Sequence, residues 1–161
     1  MWELPKARIG LQTSNSGWRI REKNRFLSIL MEGLAGNAYV SFEGGSSILG
    51  LSAITGAQGD ESGALLRNTI VPRQNLIIVP LEPETLTAIW KGVGGTISRD
   101  VLHIQIEKNG QLAFGAYDGF HPECITFGHE FPAVLIDSLI EERLLERSGS
   151  DLDRRDKPAS A

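Results

Sequence analysis

The chain has one cysteine, two methionines and two tyrosines, and no apolar run approaches the ~20 residues needed to cross a bilayer. Its two most apolar stretches are both interrupted, residues 26–31 by Ser28 and residues 76–81 by Pro80. A lone thiol, Cys124, excludes an internal disulfide framework and the stapled folds that depend on one. The opening Met-Trp-Glu-Leu-Pro-Lys lacks the basic-then-apolar order of a secretory signal, so a cytoplasmic, reducing setting is expected. Internal repeats, low-complexity tracts and the strand–helix alternation of doubly wound folds are also missing. A chain of 161 residues can bury a core of its own, and needs no metal to do so.

Charge is present but unevenly distributed around a net of −4. Residues 1–25 carry six basic side chains (Lys6, Arg8, Arg19, Arg21, Lys23, Arg25) against Glu3 and Glu22, a balance of +4. Residues 76–146 carry four basic against eleven acidic ones, a balance of −7. An acidic half repels phosphate backbones and attracts basic partners. The basic N-terminal stretch is the one nucleic-acid candidate, and a solvated face explains it more simply.

Periodicity supplies the elements. Apolar residues at 26, 27, 30, 31 and 34 predict a helix over 22–34, capped by Gly36-Asn37. Residues 38–43 alternate as a half-buried strand, with residues 48–54 as the expected partner strand. Residues 55–63 read as an exposed loop, and 65–71 with 76–81 as a hairpin with Pro80 at an edge. Pro83 opens a helix whose core face holds Leu86, Ile89, Trp90 and Val93, ended by Gly94-Gly95. Asn109-Gly110 closes a hairpin of residues 101–107 and 111–117, since both residues accept the positive φ of a tight turn. Leu102, Ile104 and Ile106 share one face, as do Leu112, Phe114 and Ala116, which leaves His103 partly exposed on the other. A short strand at 124–127 and a helix over 132–146 follow. The expected fold is α+β: an antiparallel sheet of six or seven short strands built from hairpins, packed by about three helices. Residues 1–147 form one globular domain and 148–161 a disordered tail.

The residues able to do chemistry crowd together at Asp118, His121, Glu123, Cys124, His129 and Glu130. His121, Cys124 and His129 could offer zinc three ligands, although no paired Cys-x-x-Cys or His-x3-His half-site is present. Cys124 with His121 or His129 and an orienting Asp118 would be a thiol nucleophile and base, but only if the loop folded back on itself. The bland account is a structured loop with Cys124 as a small buried hydrophobe. Elsewhere the motifs dissolve. The glycine run at 92–95 follows a helix instead of opening one, and Ser62 misses the Gly-x-Ser-x-Gly spacing by one position.

Without an assembled catalytic motif, the sequence favours a small acidic protein-binding domain of inhibitor, immunity or adaptor type. Asp118, His121, Glu123, His129 and Glu130 would meet a protein with a basic surface. Membrane and nucleic acid are not expected partners, and a homodimer is the other assembly considered. The alternative is a metal-assisted or thiol-dependent hydrolase using the 118–130 cluster, with zinc as its only expected cofactor.

Overall fold

A computed structural model describes residues 17–148. Lys6, Arg8 and the tail from 149 onward lie outside the described residues. Among the described residues, seven strands form two antiparallel sheets, with three α-helices and short 3-10 segments between them. The larger sheet orders its strands β3-β2-β4-β5-β6: β2 Ala38–Gly44, β3 Asn75–Leu81, β4 Val101–Lys108, β5 Gln111–Ala116 and β6 Ile125–Phe127. The smaller is a ribbon of β1 (Gly17–Ile20) and β7 (Leu145–Ser148). No helix of the described residues is long and apolar enough to cross a membrane.

Helix α1 (Lys23–Leu34) buries Phe26, Leu27, Leu30, Met31 and Leu34, the stripe its periodicity predicts. Each such side chain contributes about 1.5–3 kcal/mol on burial. They join one core with Ala38, Val40 and Phe42 of β2, Ile77 and Val79 of β3, Ile104 and Ile106 of β4, and Phe114 of β5. The Asn109-Gly110 turn forms as expected, with φ of 52° and 81°, between β4 and β5. Helix α2 (Leu86–Gly92) buries Ile89, while Trp90 is only half-buried against the core. Gly94 and Gly95, both at φ 82°, end it.

Four expectations fail for physical reasons. Residues 48–54 are not a strand: Ser46–Ala53 is a 3-10 helix that buries Ile48 and Leu51, three residues apart as that helix requires. The Asp100 carboxylate secures its start, accepting from the Ser47 backbone N–H at 3.1 Å and from the Ser47 hydroxyl. Residues 65–71 form no strand either; β3 pairs with β2 instead, through the register Val40↔Val79. The last helix, α3 (Ala133–Glu141), stops early. Arg143 turns left-handed at φ 57°, and the chain reverses into β7 to pair with β1. Finally, a register shift between Ile106 and Glu107 sends Leu112 to the opposite face of the sheet from Phe114, beside Leu65, Leu76 and Ile78.

That second face carries the site. Ser41, Glu43, His103 and Gln105 alternate with core residues, yet all four are buried, because residues 54–74 are laid across them.

Candidate protein-interaction surface

A segment as long as 54–74 with so little regular structure is unusual inside a compact domain, where loops beyond ~12–15 residues are commonly functional. Leu65 packs it onto Leu76 and Ile78, and Gln58 bridges to Ile78 on the outer edge of β3. That bridge and Pro80 also deny this sheet edge to a foreign strand.

Buried polar side chains of the sheet hold the second half of the segment. Glu43, 0% exposed, accepts from the backbone N–H groups of Asn68 at 2.8 Å and Thr69 at 2.7 Å. The Gln105 amide donates to the Leu66 carbonyl at 2.9 Å and the Ser41 hydroxyl at 3.1 Å, and the Tyr117 hydroxyl donates to Gln105 Oε1 at 3.3 Å. Gly115 makes room for that phenol, since a Cβ there would lie 2.6 Å from the Tyr117 hydroxyl. Arg67 donates to the Gln74 carbonyl and lies 3.5 Å from the Glu61 carboxylate, drawing the base of the loop together.

Beyond Thr69 the chain leaves the sheet. Ile70 is 81% exposed and Val71 86%, followed by a cis peptide to Pro72. Two branched apolar side chains thus stand in water at the tip of a loop whose base is held by buried hydrogen bonds.

His103 ties this loop to a second one. It is 1% exposed, and its Nδ1 accepts the Asp118 backbone N–H at 3.1 Å. The ring proton therefore sits on Nε2, which donates to the Thr69 hydroxyl at 3.1 Å. Asp118, Gly119 and Phe120 all lie at left-handed φ, 51°, 62° and 66°, in a turn closed by the His121 N–H on the Tyr117 carbonyl at 3.2 Å. Left-handed backbone costs ordinary residues about 1–2 kcal/mol each. Offsetting contacts are the burial of Phe120, the Lys23 ammonium 4.9 Å from its ring centroid, and the Gly119 N–H on the Leu102 carbonyl.

The predicted site residues are all exposed except Cys124, which is partly buried, but β6 divides them. Asp118, His121, Glu123 and Cys124 precede it, at the end of the sheet beside Thr69; His129 and Glu130 follow it, at the other end, where Gly128 bonds to Ala113. Among the described residues no three His, Cys, Asp or Glu side chains are grouped to hold a metal ion, so His121, Cys124 and His129 form no zinc set. The nucleophile reading fares no better. Burial, then the charges of Asp118 and Glu123, push the Cys124 thiol up, away from the thiolate. Nor can His103, with its proton on Nε2, act as a base toward the Thr69 hydroxyl.

The charge asymmetry is offset in part within the chain. Arg19 and Arg21 reach Glu146 at 3.2 and 2.9 Å across the β1–β7 ribbon, and Arg25 pairs with Glu142. The basic stretch thus faces part of the acidic one. His129 lines a separate groove of about 320 Å³, with Trp18, Phe127, Phe131, Ile136 and Arg147.

No family model, curated protein or solved structure matches this chain.

Sequence reasoning missed Glu43, Thr69, His103 and Gln105. The available signals were the alternation that turns Glu43, His103 and Gln105 to one side of the sheet and Leu65, an apolar residue following a polar loop.

Proposed function

We propose that this chain is a protein-binding module, and that it engages its partner with the Ile70–Val71 tip and the adjoining 118–123 turn. The observation that carries the reading is the pair of apolar side chains held in water on a loop anchored by Glu43, Gln105 and His103. Scattered single apolar residues on a surface need no explanation, but two adjacent ones on a braced tip have the form of a binding anchor. Burying both would contribute about 3–5 kcal/mol of hydrophobic free energy. Bracing lowers the ordering cost that a loose loop incurs on binding. Asp118 and Glu123 give the partner's rim a reason to be basic. His129 and Glu130, at the other end of β6, take no part in the same contact.

Affinity capture from the native cell extract tests this. An Ile70→Asp/Val71→Asp chain that keeps its thermal midpoint should lose the partner that wild type retains. Val134→Asp, at an equally exposed apolar site on α3, should keep it. Equal recovery by all three chains would end the proposal.

A further inference from the structure

The hydrogen bonds of His103 join the two loops through a single titratable ring. Its Nδ1 lone pair is already occupied by the Asp118 N–H, and its Nε2 proton by the Thr69 hydroxyl. A proton taken up from solvent has only Nδ1 to occupy, where it would point at another N–H. The bond to Asp118 and a proton on Nδ1 cannot coexist.

We propose that His103 is a pH-operated latch: neutral, it holds the 117–121 turn to the Thr69 loop; protonated, it releases the turn. The turn has reason to move once freed, because Asp118 and Phe120 occupy left-handed backbone that L residues otherwise avoid. Ionisable groups face the imidazole from each neighbouring element. Glu43 stands directly opposite on β2, in register with His103. Tyr117 lies on the β5 side, its ring centroid 5.7 Å away. Asp118 is in the turn itself, and Arg67 is two residues from Thr69 in the covering loop. The Glu43 charge favours the imidazolium, whereas burial opposes it. Neither restores the Asp118 bond. The latch adds regulation to the interaction surface proposed above and rests on that reading only for its biological consequence.

Nuclear magnetic resonance of the full chain, with no partner present, tests the latch separately from binding. The His103 ring nitrogens and backbone amides are followed from about pH 8 to pH 5, the range in which imidazole changes charge. Signals of His121 and His129 are assigned with His121→Gln and His129→Gln. As His103 protonates, the Asp118 amide should shift and lose about two- to tenfold of its exchange protection, the factor expected for one net hydrogen bond. Thr69 and Gly119 should follow with the same midpoint, while Val40 and Phe42 stay protected. His103→Asn keeps an acceptor near the Nδ1 position and cannot titrate, so its Asp118 amide should stay protected throughout. Three results would overturn the proposal: an Asp118 amide unmoved while His103 titrates, a His103 that stays neutral until the whole chain unfolds, or the same acid response in His103→Asn. The first two need only the wild-type chain. If the latch fails, the Ile70–Val71 capture experiment is unaffected, and the reverse also holds.

Discussion

Glu43→Gln separates the bracing of the covering loop from everything else that packs it. The carboxyl is fully buried and accepts two backbone N–H groups, Asn68 at 2.8 Å and Thr69 at 2.7 Å. Glutamine keeps its shape, so no cavity term arises, but offers one oxygen and one NH2 group. One backbone donor is left buried and facing another donor, a loss of about 1–3 kcal/mol. At about 2–4 °C per kcal/mol for a domain of this size, the thermal midpoint should fall by about 2–12 °C. Urea unfolding followed by circular dichroism should show a lower midpoint with an unchanged slope, and hydrogen exchange should speed at Asn68 and Thr69. The control, exposed Glu141→Gln, should shift stability by less than ~0.5 kcal/mol. A Glu43→Gln midpoint within about 1 °C of wild type would mean that the two Glu43 bonds add nothing to holding the loop, and the bracing argument for Glu43 would fall.

The Ser47 hydrogen bond, outweighing burial, holds the Asp100 carboxyl below its ordinary value. A lowered folded value contributes stability that is fully present above the ordinary carboxylate range and is lost as pH falls from that range through the lower folded value. Asp100→Asn should therefore melt earlier than wild type at neutral pH and converge with it in acid; parallel pH–stability curves would refute this. The raised Cys124 thiol should react with iodoacetamide at neutral pH more slowly than free cysteine, and faster in Asp118→Asn; a wild-type rate equal to that of free cysteine would contradict the burial argument. Arg21→Ala, which removes an exposed partner of Glu146, should cost about 0.2–1 kcal/mol by urea unfolding. That cost should shrink in high salt, and a salt-independent loss would point to packing instead.

What could be read directly from residue order was local. Helix α1 and the Asn109-Gly110 hairpin follow from apolar spacing and from residues that accept positive φ, both properties of a few neighbouring positions. The helix expected to run to residue 146 failed because Leu144 and Leu145 fit either a helical face or a strand, and only the distant β1 offered a strand to pair with.

The site depended on such distant choices. Alternation in β2 and β4 showed that Ser41, Glu43, His103 and Gln105 face away from the main core. It could not show whether water or protein lies on that side, because both satisfy a polar side chain. Tertiary structure decided it by laying residues 54–74 across the sheet, which turned a partly exposed histidine into a buried connector of two loops. Charge followed the same rule: the −7 of residues 76–146 is a property of the order of residues, whereas its partial neutralisation by Arg19, Arg21 and Arg25 is a property of space. Composition, periodicity and turn chemistry act over a few residues and set the α+β elements; covering a polar face and cancelling a charge act across the whole chain, and only the folded arrangement determines them.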